Sequence, residues 1–359
     1  MEADGPEHDP WRALALDPPR AWGETPVSGA LRVELSDFDV EERLGFEPDG
    51  GVAHRLLLVE KSGTNTVFVA RALAVRAGRP AGDIGFAGQK DRRAVARQWF
   101  SVPATRETAS FVGYSGDGFR VLAEHPHSRK LRRGSLAGNR FHIRVRGLQG
   151  DARAIAARVE QLAASGIPNY YGGQRFGREG ANLGRVRQWL SSGKLPRSRE
   201  PRAYLLSSAR SLAFNAVLSA RVAGGSWNRL LPGEVVNLAG SRSVFSADFP
   251  DEGLQRRLAE GDVSPTGPLC GVGGVLPGGE AARVENAALS AVTPVPALLA
   301  ALGMRGERRA LVLRPRDFRH RLEGDTLDLD FELPRGAFAT SLLREIVDVR
   351  VPETDGDAG

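Results

Sequence analysis

A single cysteine, Cys270, occurs in the 359 residues, which excludes a disulfide framework and a zinc knuckle. No stretch reaches about 18 consecutive apolar residues, so no membrane-spanning helix is expected. The opening Met-Glu-Ala-Asp-Gly-Pro-Glu-His is acidic and lacks the apolar centre of a signal peptide. A cytoplasmic protein is the simplest expectation. Nucleotide motifs are missing as well. Gly88-Gln-Lys-Asp91 has neither the glycine spacing nor the Ser or Thr after lysine that a phosphate loop needs, and Gly271-Val-Gly273-Gly274 has Leu276 where a dinucleotide loop needs its third glycine. No Gly-x-Ser-x-Gly elbow is present. His125-Pro-His127 brings two imidazoles without a carboxylate or thiol cluster and fits a basic loop better than a metal site. Neither a cofactor nor a metal is expected.

What is present suits a soluble chain with room for about two domains: 41% of residues are hydrophobic and the formal net charge is +6. The distribution of charge is more informative than its sum. Residues 129–146 carry seven cations (Arg129, Lys130, Arg132, Arg133, Arg140, Arg144, Arg146) and no acid. Such a segment fits either a solvated basic loop or a patch for phosphates, and arginine forks match phosphate oxygens.

The most informative stretch is Gly85-Phe-Ala-Gly-Gln-Lys-Asp91-Arg-Arg-Ala-Val-Ala-Arg-Gln-Trp-Phe100. It sets a short carboxylate, Asp91, on a glycine-flanked loop between two strands, among lysine and arginine. Neighbouring cations favour an ionised carboxylate, which is suited to act as a nucleophile. The same pattern also describes an ordinary loop aspartate paired with surface arginines.

Periodicity predicts strands over 31–35, 54–60, 97–102, 139–146 and 327–333. A helix is expected after Thr64 or Asn65, with Phe68, Ala72 and Val75 on one face and Gly78 and Pro80 ending it. Others are expected over 151–164 (Ile155, Val159 and Leu162 inward), 180–191 and 202–222, and from Phe338 with Leu342, Leu343, Ile346 and Val347 inward. In the strand 139–146, Phe141, Ile143 and Val145 point to a core, while Arg140, His142, Arg144 and Arg146 make the other face positive. The strand 327–333 carries Asp328, Asp330 and Glu332 outward, so that face is expected to point away from any polyanion. Residues 1–29 read as a loosely held leader. The character changes near Gly166-Ile-Pro168, where a second domain begins. The order of elements suggests α+β with a mostly antiparallel sheet.

Asn169-Tyr-Tyr-Gly-Gly-Gln-Arg-Phe-Gly177 is the second unusual string. Its aromatics beside Arg175 suit either base stacking or a hinge between domains. Six strings in order resemble the TruD family of tRNA pseudouridine synthases. They are Asp37-Phe38, Phe86-Ala-Gly-Gln-Lys-Asp91 with Ala94-Val95 and Gln98-Trp99, Gly138-Asn139-x-Phe141, the 169–177 string, Ser208-Ala-Arg-Ser211 and Gly336-x-Phe-Ala-Thr-Ser341.

The resemblance implies an α+β fold: a pseudouridine-synthase-type catalytic domain with a mixed, largely antiparallel sheet, plus an inserted α+β TRUD domain. The catalytic domain would then comprise 30–166 and 314–354, the insertion 167–313 and a C-terminal tail 355–359. It implies isomerisation of uridine at position 13 of tRNA, without cofactor or metal, on a uridine flipped out of the RNA stack. Asp91 would be the catalytic nucleophile, and Phe38, Asn139, Phe141 and Phe338 the substrate contacts. Phe141 is also compatible with core packing, and Asn139 with a turn. Lys90 and Arg32 would hold Asp91 ionised. Candidates for the RNA backbone are Arg129, Lys130, Arg132, Arg133, Arg144 and Arg175. The partner is tRNA, with no membrane, and a monomer is expected. Two rivals remain at this point: a non-catalytic RNA binder, and a carboxylate-based nucleoside or glycoside hydrolase, which would release free base or sugar.

Overall fold

The computed structural model describes residues 9–104 and 108–352; the expected tail at 355–359 lies outside them. In chain order the helices are α1 (Pro10–Leu16), α2 (Thr66–Ala77), α3 (Ala154–Ser165), α4 (Ala181–Ser192), α5 (Arg199–Ala223), α6 (Glu252–Ala259), α7 (Gly279–Ser290), α8 (Val295–Ala301) and α9 (Ala339–Leu343). The strands are β1 (Val27–Leu31), β2 (Phe38–Leu44), β3 (His54–Ser62), β4 (Gly85–Phe86), β5 (Val95–Pro103), β6 (Ser115–Gly116), β7 (Phe119–His127), β8 (Leu136–Gly150), β9 (Ile167–Pro168), β10 (Glu234–Leu238), β11 (Val244–Ala247), β12 (Val263–Leu269), β13 (Glu307–Ala310), β14 (Val312–Leu313), β15 (Arg316–Glu323), β16 (Thr326–Pro334) and β17 (Val347–Arg350).

Contacts divide the chain into two compact units. The sheet unit comprises Pro26–Glu160, Pro315–Gly336 and Ile346–Gly359; the helical unit comprises Met1–Thr25, Gln161–Arg314 and Ala337–Glu345. Two pieces differ from expectation. Residues 10–25 are no loose leader: Asp9 caps α1, Ala15 is buried, and Asn215 Nδ2 donates to Leu14 O at 3.0 Å. The segment around Phe338 groups with the helical unit because Ser341 Oγ donates to Tyr170 O and Phe338 packs on Tyr171.

The sheet unit is built on an 11-stranded sheet running β15-β16-β8-β2-β5-β3-β7-β6, with β1 on β8 and β17, and β4 on β5. The β1–β17 and β2–β5 pairs are parallel and the other pairings antiparallel. The fold is therefore α+β around a mixed, largely antiparallel sheet. Alternation gives the central strands a buried face, whereas β6 and β15 at the sheet ends have no buried residue. Phe141, Ile143 and Val145 are buried as expected, and so are Leu327, Leu329, Phe331 and Leu333. The expected strand at 31–35 instead ends at Leu31, and a 3-10 turn at Leu35–Asp37 leads into β2. The helix expected through Ile346 and Val347 stops at Leu343, and Val347 opens a strand that pairs with β1.

α2 forms where expected and ends at Gly78 in the left-handed conformation, but it buries the opposite stripe. Val69, Ala70, Leu73 and Ala74 pack with Leu57, Val59, Phe100 and Val102. Phe68 and Val75 are left 45% and 82% exposed. Both stripes are apolar, so periodicity alone could not choose between them.

The helical unit is centred on α5, whose buried Leu212, Phe214 and Leu218 share one core with Tyr170, Tyr171, Phe176 and Trp189. A four-stranded sheet, β11-β10-β12-β13, completes it. Arg221 meets Glu234 at 2.9 Å there, where burial pushes the Glu234 carboxyl up and the Arg221 charge opposes that rise.

Candidate active site

Asp91 sits in the turn between β4 and β5, and the turn is held from beneath. Four neighbouring strands, β3, β5, β2 and β8, each place one polar side chain on the otherwise apolar inner face: Lys61, Gln98, Glu42 and Asn139. Lys61 is 0% and Glu42 1% exposed. Lys61 Nζ donates to the carbonyl oxygens of Asp91 (2.7 Å) and Thr64 (2.9 Å). Gln98 Nε2 donates to Gly88 O at 2.6 Å, and its Oε1 accepts from Thr66 Oγ1 at 2.9 Å. Thr66, on the first turn of α2, in turn accepts from the Lys90 amide at 3.0 Å. Lys90 Nζ lies 2.6 Å from Glu42 Oε1 and donates to Asn139 Oδ1 at 2.8 Å. The other Glu42 oxygen accepts from Trp99 N at 2.9 Å.

Orphaning any one of these buried groups would cost about 1–3 kcal/mol, so they fix the turn collectively. Burial pushes the Glu42 carboxyl up, with the Lys90 charge pulling it back. Burial lowers the Lys61 ammonium to about 8, against the pull of the Asp91 charge and with a further push from Lys90. Two glycines allow the backbones to meet closely here. A Cβ at Gly85 would fall 2.4 Å from Leu131 O, and one at Gly138, beside Asn139, 2.4 Å from Leu333 O.

Above this row the Asp91 carboxylate is 47% exposed and pairs with Arg32 Nη2 at 2.5 Å. Arg32 follows β1 with φ +63°, a left-handed conformation that an arginine adopts only when its surroundings hold it there. Arg93 Nη2 donates to the Arg32 carbonyl at 3.1 Å. The Arg32 guanidinium lies 4.4 Å from the centre of the Phe38 ring, and its Nε is buried without a hydrogen-bond partner among the described residues. Phe38 meets Phe141 edge-on at 6.0 Å, and Phe141 stacks on Phe331 at 5.3 Å. Phe141 is thus enclosed in the core beneath Phe38. Asp91, Arg32 and Phe38 form one cluster; Lys90 and Asn139 form a second beside it. Lys90 was expected to hold Asp91, but its ammonium instead serves Glu42 and Asn139.

The positive face expected on β8 is largely neutralised. The β8–β16 register sets Arg144 opposite Asp328, His142 opposite Asp330 and Arg140 opposite Glu332. Arg144 grips Asp328 at 2.7 and 3.0 Å, and Arg146 reaches Asp37 at 2.7 Å and Glu34 at 3.0 Å. The acidic face of 327–333 pairs with the basic one across the β8–β16 register. Arg129, Lys130, Arg132 and Arg133 are exposed between β7 and β8, with Lys130 Nζ donating to Gly82 O at 2.6 Å. In the helical unit Arg175 is half-buried, 5.3 Å from the Tyr171 ring and 6.0 Å from the Phe338 ring, and donates to Ser207 Oγ at 3.1 Å. Arg175 and Phe338 thus share one cluster with Tyr171.

Sequence reasoning missed Lys61, Glu42, Gln98 and Thr66. A signal was available: Lys61 shares the inward parity of Leu57 and Val59, and Glu42 that of Phe38 and Val40. Charged residues at inward positions require partners. No cluster of three or more His, Cys, Asp or Glu able to hold a metal occurs among the described residues.

The model of a family described as tRNA pseudouridine synthase D (TruD) matches residues 20–197 and 198–346. The tRNA pseudouridine synthase D of Xanthomonas euvesicatoria pv. vesicatoria is 44% identical over 348 residues, covering 92% of this chain and 94% of the relative. That of Pseudomonas syringae pv. tomato is 44% identical over 345 residues, covering 95% and 98%. A solved TruD structure from Methanosarcina mazei, 20% identical, superposes with a TM-score of 0.70 over 93% of this chain and 96% of its own, a likeness of fold. The chain belongs to the TruD family of tRNA pseudouridine synthases.

Proposed function

We propose that this protein converts uridine at position 13 of tRNA to pseudouridine, with Asp91 as nucleophile on a uridine turned out of the RNA stack. The supporting observation is an exposed carboxylate, paired with Arg32, on a turn whose backbone is pinned by buried Lys61 and Gln98. A group held this way loses little freedom when it meets a sugar carbon. Over the reaction the bond from N1 to C1′ breaks and one from C5 to C1′ forms. C5 loses a proton and N1 gains one, so no oxidant or cofactor is consumed. The carboxylate acts either by attack on C1′ or by removing the C2′ proton on a glycal route. Arg32 pairs with it and orients it, and Asn139 offers a hydrogen bond to the base. Phe338 with Arg175, and the exposed cations Arg129, Lys130, Arg132 and Arg133, are the proposed further RNA contacts. A cytoplasmic monomer is part of this proposal.

Asp91→Asn is expected to abolish isomerisation while tRNA affinity stays within about tenfold, roughly 1.4 kcal/mol. Carbodiimide-based mapping of tRNA incubated with the wild type should give a single new stop, at position 13. Normal turnover by the variant would remove Asp91 from its role; a stop elsewhere would remove the position. Release of free uracil, instead of an isomer of equal mass, would favour a hydrolase.

A further inference from the structure

We infer that Glu42 and Lys90 are positioning residues that make Asn139 a hydrogen-bond donor toward the substrate base, and so select a pyrimidine with carbonyls at both C2 and C4. The inference rests on the reading that the base meets Asp91, the chain neighbour of Lys90. A lysine ammonium has three protons and no lone pair, so the Asn139 atom 2.8 Å from Lys90 Nζ must be the amide oxygen. The amide NH2 is thereby turned away from Lys90 on a half-buried side chain, and among the described residues it takes no partner. Lys90 itself cannot swing away. Glu42 Oε1 lies 2.6 Å from its ammonium, Thr66 holds its backbone amide, and Glu42 is fixed by the Trp99 amide. Glu42 and Asn139 are direct register partners on β2 and β8, so the ammonium bridges the two strands.

The chemistry of the product gives this orientation its value. Rejoining uracil through C5 turns the ring about the axis through N3 and C6, which exchanges N1 with C5 and the C2 carbonyl with the C4 carbonyl. A donor placed at one carbonyl meets an equivalent carbonyl after the turn. Cytosine would present a carbonyl in one orientation and an amino group in the other, and that amino group would face the Asn139 NH2 donor to donor. A site built to hydrogen-bond a substrate rejects a mismatched group through such unpaired contacts.

The test is a double-mutant cycle with Lys90→Met and Asn139→Ala, read as kcat and KM on tRNA. Each single change is expected to lower kcat/KM about tenfold, the worth of one hydrogen bond to the base. Because Lys90 acts through Asn139, the double variant should also be down about tenfold, not a hundredfold. Lys90→Met should also bind tRNA with cytidine at the target position better relative to uridine, by about tenfold in competition, since a freed amide can turn its oxygen to the amino group. Multiplicative losses, or an unchanged preference for uridine, would overturn the inference and leave Lys90 as support for the Asp91 turn. If Lys90→Met does not fold, Glu42→Gln enters the same cycle with the same two outcomes. Turnover by Asp91→Asn would instead strike the reading beneath it, so the two failures are distinguishable.

Discussion

Asp91 illustrates how a common side chain is given a defined setting. Its carboxylate is exposed, yet its carbonyl is tied down by an ammonium with no access to water. Lys61 bears the cost of that arrangement, because burial lowers its ammonium from 10.5 to about 8. Below about pH 8 both folded and unfolded chains carry this proton, and the folded chain bears the desolvation penalty. Between about pH 8 and 10.5 only the unfolded chain holds it, so the stability contributed at this position rises with pH. Urea midpoints of wild type and Lys61→Met should therefore diverge over that window, with the wild type gaining relative to the variant. Identical pH dependence in the two would show that the lysine does not titrate there. Arg32 combines a left-handed backbone conformation with a guanidinium that reaches both Asp91 and Phe38.

Among the strands and helices, β8 shows how pairing decides what a face does. Its sequence alternates apolar and cationic residues, and the alternation alone suggests a grip for RNA. The neighbouring strands supply an acid opposite almost every cation, and Arg97 likewise bridges Asp39 (3.0 Å) and Glu60 (3.3 Å) across β2, β5 and β3. The polar face is a lattice of alternating charges. The exposed 129–133 segment has no such lattice. Charge reversal at Arg132 and Arg133 should weaken tRNA binding and flatten its dependence on salt, because fewer counterions are released. Arg144→Glu should lower the melting temperature while leaving that salt slope unchanged. An altered slope for Arg144→Glu would return β8 to the RNA surface. The exposed stripe of α2, with Phe68 and Val75, is a comparable lesson in packing: the helix was legible, but which apolar stripe turned inward was not.

For the molecule as a whole, the family and the mixed sheet were legible in ordered strings of residues. Alternation and punctuation are local, and the sheet unit keeps them: β3, β5, β8 and β16 lie where period-2 patterns put them. The segments 10–25 and 337–345 were misplaced because each is short and owes its position to distant partners such as Asn215 and Tyr170. The chain alone settled where the strongly alternating strands lie, where a carboxylate stands among cations, and which family those strings match, since these depend on neighbours along the sequence. Which cation each carboxylate received could not be read that way. Arg32 rather than Lys90 on Asp91, and Lys90 on Glu42, follow from strand order and register, which bring together residues tens of positions apart.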